Sequence, residues 1–285
     1  MSAGPQAHPR PPIKPRYGVW VPLFDDLADP ALVASLAADA ERAGWDGFFV
    51  WDQLAWRAPV LDVADPWITL AAIATATERI ALGPMVTPLP RRRPAKVARE
   101  SVTLDRLCGG RLILGVGSGS DRFAAEYSRT GEPTGDRHRA DLLDESLSIL
   151  RSAWTGESVQ HDGPLLRVDG MAFSPRPVNG SIPVWVAAFP GNRRPLRRAA
   201  RHDGFFPVNL GSAAELAEAL AYVEASRSDM TDPAAPFDVV AAVRPDHDPA
   251  PYLQAGATWV LTDIEPTDLD VARLRRLIRN HGTRS

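Results

Sequence analysis

A chain that does chemistry unaided needs reactive side chains within reach of one another, so its histidines, lysines, carboxylates and cysteine come first. The six histidines, His8, His138, His161, His202, His247 and His281, never stand at His-x-His or His-x-x-x-His spacing. A catalytic metal wants clustered histidine and carboxylate ligands, so no metal site is expected. Lysine occurs only at Lys14 and Lys96, and neither ends an apolar run, where a Schiff-base lysine would sit. The single cysteine, Cys108, leaves no internal disulfide and points to a reducing, cytoplasmic setting. The ends of the apolar runs carry instead Asp52-Gln53, Met85-Val86-Thr87, Gly115-Val-Gly-Ser-Gly119 and Ala187-Ala188. That set offers no nucleophile, no metal cage and no pair of glycosidase carboxylic acids. It suggests that a bound cofactor does the chemistry.

The elements that must position these residues repeat one pattern, an apolar run followed by an amphipathic stretch. Eight such runs are read as strands: Tyr17–Pro22, Gly47–Trp51, Ile80–Val86, Arg111–Val116, Pro183–Ala187, Gly204–Val208, Phe237–Val243 and Ala257–Leu261. Helices follow at Ala31–Ala43, Trp67–Thr77, Pro94–Leu107, Asp136–Trp154, Arg193–His202, Ala213–Arg227, Pro249–Ala255 and Asp268–His281. Asp29-Pro30 and Asp65-Pro66 place a capping aspartate before a first-turn proline. Continuous apolar strands alternating with helices indicate a parallel sheet covered by helices. Right-handed crossovers of this kind, eight times over, close a (β/α)8 TIM barrel, in which the strands' C-terminal ends form the reactive mouth. Glu157–Ser174 breaks the rhythm, with turns at Gly163-Pro164 and Asp169-Gly170, and reads as a β-hairpin inserted after the fourth helix and folded over the mouth as a lid. Residues 1–16, rich in proline, read as a disordered tail, and 17–285 as a single barrel domain.

Gly115, Gly117 and Gly119 have the wrong spacing and follow the wrong strand for a dinucleotide fingerprint. They are either a flexible turn or, at Gly117 and Ser118, room for a flat ring system. Asp52 reads as a ring or substrate contact, or as a cap for the next loop. Arg91-Arg92-Arg93 is a solvated charge run or a holder for an acidic cofactor tail. Trp20 and Trp56 could line an apolar substrate pocket, whereas Trp185 reads as barrel packing.

Leu82–Pro94 and Leu104–Gly117, together with Ile182–Ala187, Arg198–Pro207 and Ala255–Trp259, resemble the bacterial luciferase-like flavin oxidoreductases in sequence and order. The resemblance implies FMN or the deazaflavin F420 as cofactor, a small organic substrate and a homodimer. It implies a bulge with a non-proline cis peptide between Met85 and Val86, with Thr87 beside it, against which the ring rests. The cofactor phosphate is assigned to Ala187, Ala188, Gly191, Asn192 and Arg193, at a helix N-terminus where free N–H groups suit an anion. Two positions depart from relatives that use the deazaflavin. Gln53 stands where many have histidine, and Ser120 where some have glutamate. Glutamine cannot shuttle a proton, which weighs against acid–base work at Asp52-Gln53 and keeps a non-catalytic flavin-binding barrel as a rival. An FMN monooxygenase using oxygen is the other alternative.

The net charge of −3 gives no field that would gather nucleic acid, and no apolar run reaches the roughly 18 residues of a membrane helix. Neither partner is expected.

Overall fold

A computed structural model describes residues 14–228, 232, 235–266 and 270–281. The strands are β1 (Arg16–Val21), β2 (Gly47–Val50), β3 (Ala81–Pro84), β4 (Thr87–Pro88), β5 (Leu114–Gly117), β6 (Ser158–Asp162), β7 (Arg167–Ala172), β8 (Val184–Ala188), β9 (Gly204–Pro207), β10 (Asp238–Val243) and β11 (Trp259–Asp263). The helices are α1 (Pro30–Arg42), α2 (Pro66–Ala76), α3 (Pro94–Leu107), α4 (Glu126–Thr130), α5 (Asp136–Trp154), α6 (Arg193–Ala200), α7 (Ala213–Arg227), α8 (Ala250–Gln254) and α9 (Val271–Arg279).

Nine strands form one parallel sheet in the order β3-β2-β1-β11-β10-β9-β8-β5-β4. β3 and β4 occupy one barrel position, interrupted at Met85-Val86, so nine segments fill eight places. The sheet closes on itself where Leu82 bridges Leu112 in parallel and Ile113 N–H donates to the Leu82 carbonyl at 2.9 Å. The barrel interior holds Phe49, Trp185, Phe206, Trp259 and Leu261. Trp185 and Trp259 meet edge to face at 5.3 Å, a preferred geometry for aromatic pairs. A larger shell of aliphatic side chains, Leu36, Leu70, Leu114 and Leu150 among them, seals strands to helices.

The capping signals act as expected. Asp29 Oδ1 accepts from Ala31 N–H at 2.8 Å, and Asp65 Oδ1 accepts from Trp67 and Ile68 N–H at 2.9 Å each. Most of the proposed tail, residues 1–13, lies outside the described residues, and β1 begins at Arg16, one residue early. The start of the closing helix, at Asp268, also lies outside them.

Two expectations need correction. The chain after β5 contains a short helix, α4, that hydropathy periodicity did not reveal. And the antiparallel pair β6–β7, which directly follows α5, does not lie over the mouth. Glu145, midway along α5, faces His161 at 3.1 Å and accepts from Leu165 and Leu166 N–H at 3.1 and 2.9 Å. Arg99 of α3 donates to the Ser174 and Ala172 carbonyls at 2.5 and 3.1 Å. Val159, Val168 and Phe173 are buried in the outer shell. The hairpin thus hugs the helical wall, because its alternation turns two valines and a phenylalanine towards α3 and α5.

Candidate active site

The C-terminal ends of the strands enclose a cleft of about 830 Å³ lined by Asp52, Gln53, Val86, Gly117, Ser118, Ser120, Phe123, Glu126, Ala187, Ala188, Phe189, Pro195 and Arg198, among others. The sequence-predicted Asp52, Gln53, Val86, Gly117, Ser118, Ala187 and Ala188 meet there. The floor is thin by construction. A Cβ on Gly117 would stand 3.1 Å from Val86 Cγ2 and 3.5 Å from Ala187 Cβ, so any larger residue there would crowd the floor. The neighbouring Gly119 serves the fold instead. Its φ of +69° disfavours side chains, and a Cβ would overlap the Tyr127 hydroxyl. Tyr127 donates to the Ser118 carbonyl at 3.1 Å and so ties α4 to the loop; burial pushes its hydroxyl pKa far up.

Met85-Val86 is a cis peptide, as the resemblance implied. Val86 faces the cleft, while Met85 is buried beneath it. Trp20 is not a wall of the cleft. Its indole N–H donates to the Met85 carbonyl at 2.8 Å, supporting the floor from below. Trp56 stands one layer back, stacked on the cleft-lining Phe123 at 5.1 Å and 17°. Thr87 is fully buried and donates its hydroxyl to Asp52 Oδ2 at 2.7 Å.

Asp52 anchors a charge network that spacing along the chain did not announce. Arg91 Nη2 donates to Asp52 Oδ1 at 2.6 Å and to its carbonyl at 2.9 Å, and Arg92 Nη2 reaches both carboxylate oxygens at 3.0 and 2.9 Å. The other arm of Arg91 pairs with Glu126. Glu126 in turn accepts from Leu54 and Ala55 N–H at 2.6 and 3.1 Å. The Gln53 amide nitrogen, in the orientation that satisfies both groups, donates to Glu126 Oε1 at 2.9 Å. Arg91 and Arg92 are therefore bound to carboxylates rather than a solvated run, while Arg93 is exposed.

The residues assigned to the phosphate divide between the cleft wall and the loop beyond it. Ala187 and Ala188 line the cleft, but Gly191, Asn192 and Arg193 lie outside its walls. The Arg193 guanidinium sits over the Tyr222 ring at 5.8 Å. Arg194 pairs with Asp141 at 2.5 Å. The buried Arg198 does reach the cleft, yet donates to Asp144 at 2.5 and 2.9 Å. Asp144, half-buried, is held below the usual carboxylate range by its arginines. Asn192 caps α6 without a side-chain bond, so the helix's first N–H groups remain available near Phe189 and Pro195.

A second cavity, of about 670 Å³, opens at the ends of β10 and β11 among Arg244, Asp246, Asp263, Glu265, Asp270 and Arg273. Four carboxylates against two guanidiniums make it a poor anion site. Burial and the neighbouring Glu265 raise the Asp263 pKa.

Glu126, Phe123, Phe189 and Arg198 escaped the reading of the sequence. The one local signal for Glu126 was an acidic residue followed by tyrosine shortly after the glycine-rich loop.

The molecule is a parallel barrel with a thin-floored cleft at its strand ends, furnished with few reactive groups. The chain belongs to the luciferase-like monooxygenase family, whose pattern matches residues 12–251. It is 33% identical over 207 residues to an F420-dependent glucose-6-phosphate dehydrogenase of Nakamurella multipartita, a match covering 70% of this chain and 57% of that protein. It is 30% identical over 230 residues to a phthiodiolone/phenolphthiodiolone dimycocerosates ketoreductase of a Mycobacterium species, covering 77% and 54%. Both matches span little more than half the relative's length. The coenzyme F420-dependent tetrahydromethanopterin reductase of Methanopyrus kandleri shares the fold, with a TM-score of 0.76, 18% identity, and coverage of 95% of this chain and 99% of that one.

Proposed function

We propose that the chain is an oxidoreductase that moves a hydride between a bound deazaflavin, F420, and a small organic substrate, with FMN as the alternative cofactor. The observation that carries this reading is the cleft itself. Its floor is Val86 and Gly117, where a Cβ would crowd Val86 and Ala187, and its buried charges, Asp52, Glu126 and Arg198, are each engaged in an ion pair. The names of the relatives support F420 over FMN.

The residues fit such a group. Val86, Gly117 and Ala187 would take the ring, Ser118 a polar edge, and the first N–H groups of α6 beside Ala188 and Pro195 the phosphate. When bound, the deazaflavin supplies the carbon centre that gives or takes the hydride. The protein's share is orientation and exclusion of water. Gln53 faces the substrate. Asp52 positions it by fixing Arg91 and, through Arg91, Glu126. Phe123, backed by Trp56, shields one side. The barrel, residues 17–285, acts as one domain, cytoplasmic in location and dimeric. Leu61, 87% exposed, and Ile68, 68% exposed, give a second copy apolar surface to cover. Among the described residues no helix is long and apolar enough to cross a membrane.

Calorimetric titration with oxidised F420 and with FMN tests the reading. Saturable F420 binding, in the range of about 1 µM or about −8 kcal/mol, is expected. Failure of both cofactors to bind overturns it, and FMN binding at least about tenfold tighter, a gap of about 1.4 kcal/mol, reverses the choice between them.

A further inference from the structure

We infer that the cleft takes an uncharged, largely apolar alcohol whose hydroxyl donates to the side-chain oxygen of Gln53, and that it does not take phosphorylated sugars. The inference rests on the oxidoreductase reading and narrows it.

The first ground is the state of the cations. With the α6 N–H groups given to the cofactor phosphate, a phosphorylated substrate would look to a guanidinium or ammonium with donors to spare. Arg198, the arginine that lines the cleft, is engaged with a carboxylate, and Arg91 and Arg92 are bound to Asp52 behind the lining. Arg91, its side chain 4% exposed, is held between Asp52 and Glu126. Arg92 covers both Asp52 oxygens at 3.0 and 2.9 Å. Arg198, its side chain 3% exposed, is held by Asp144. Lys14 and Lys96, the only lysines, are not among the lining residues. A dianion entering here would leave water for a site whose positive charge is already matched, which is unfavourable.

The second ground is the apolar rim. Phe123 and Phe189, 40% and 38% exposed, stand on the loops after β5 and β8 and both line the cleft. Phe123 is stiffened by stacking on Trp56, which packs on Phe24 and Trp51 at 5.4 and 5.6 Å. Large aromatic surface held partly open at the mouth of a cleft recognises apolar carbon.

The third ground is the direction of Gln53. A free amide offers a donor and an acceptor alike. Here Glu126, fixed by Arg91 and by the Leu54 and Ala55 N–H groups, takes the amide N–H at 2.9 Å. The amide oxygen is left for the cleft, alongside the Ser118 and Ser120 hydroxyls. An acceptor that cannot turn into a donor welcomes an O–H and rejects the carbonyl that replaces it; the hydroxyl proton given up with the hydride would go to the Glu126 carboxylate, which also lines the cleft.

The test uses F420-loaded protein and three probes, 1-phenylethanol, acetophenone and glucose 6-phosphate, with binding read by saturation-transfer NMR, which needs no turnover. The cofactor titration is done first; a protein that binds neither cofactor removes the oxidoreductase reading and this inference with it. With cofactor bound, 1-phenylethanol is expected to bind about tenfold tighter than acetophenone, the worth of one hydrogen bond, and glucose 6-phosphate not to saturate at millimolar concentration. Gln53→Leu should lower the alcohol's affinity to that of the ketone and leave the ketone unchanged. Glu126→Gln, which lets the Gln53 amide turn, should shrink the alcohol's advantage; if that variant fails to fold, Gln53→Leu still decides. Saturable glucose 6-phosphate binding, or equal losses for alcohol and ketone in Gln53→Leu, overturns the inference and leaves the oxidoreductase reading standing.

Discussion

Arg91 Nη2 lies 2.6 Å from Asp52 Oδ1, with the two side chains 4% and 0% exposed. A carboxylate so buried is stable only while its guanidinium is present. Arg91→Leu would leave the buried Glu126 without its cation and Asp52 with Arg92 alone, and should cost about 3–5 kcal/mol of folding stability. Urea unfolding measures it. A loss under about 1 kcal/mol, the worth of an exposed pair, would show that water already reaches the network.

Gly119 offers a sharper steric test. Alanine there meets both a φ of +69° and the Tyr127 hydroxyl. Gly119→Ala should lose about 1–3 kcal/mol from backbone strain alone and also weaken cofactor binding, since the loop carrying Ser118 must shift. Tyr127→Phe removes only the 3.1 Å bond to the Ser118 carbonyl, and should cost about 1 kcal/mol. Thermal melts of both variants check this; an alanine milder than the phenylalanine would contradict the close packing of α4 on the loop.

The acidic tail of F420 should matter little to affinity. Arg91, Arg92, Arg194 and Arg198 are paired with carboxylates, and Arg193 lies over Tyr222. Trimming the tail to its first acidic unit should change Kd by less than about threefold, or about 0.6 kcal/mol. Calorimetry with full-length and trimmed F420 would refute this if the short form bound more than about tenfold weaker.

His202 gives the fold a pH dependence of definite sign. Burial, reinforced by the Arg151, Arg201 and Arg198 guanidiniums, lowers its pKa to about 3 from an ordinary value of 6.5. Between those values the unfolded chain holds a proton that the folded chain refuses, so stability is full above pH 6.5 and falls as pH drops towards 3. The urea midpoint should therefore decline from pH 7 to pH 5, and His202→Gln should flatten that decline. An identical decline in the variant would assign the effect to other groups.

The contrast between what could be read and what could not follows from range. Asp29-Pro30 and Asp65-Pro66 announced their helices because a cap and its N–H partners are two or three residues apart. Trp185 could be placed inside the barrel because strand membership fixes burial. The partners of Asp52 could not be found, because Arg91 and Arg92 are separated from it by 39 and 40 residues and meet it only when two strand ends converge. The same blindness misplaced the hairpin. Its turns were visible, but its side was set by Glu145, on an element that only folding brings alongside. Trp20 was misjudged for a related reason: period-two alternation shows that a strand residue points inwards, not which layer of the interior it fills.

The matched pairs at the mouth bear on how reactants arrive. Asp52 and Glu126 face Arg91 and Arg92 within a few ångströms, so their fields nearly cancel before reaching solvent. Without a net potential there is little to hasten an encounter by steering. Capture then proceeds at the pace of unbiased collision and should be nearly indifferent to ionic strength. The chain gives up speed in gathering charged metabolites and is correspondingly hard for them to obstruct.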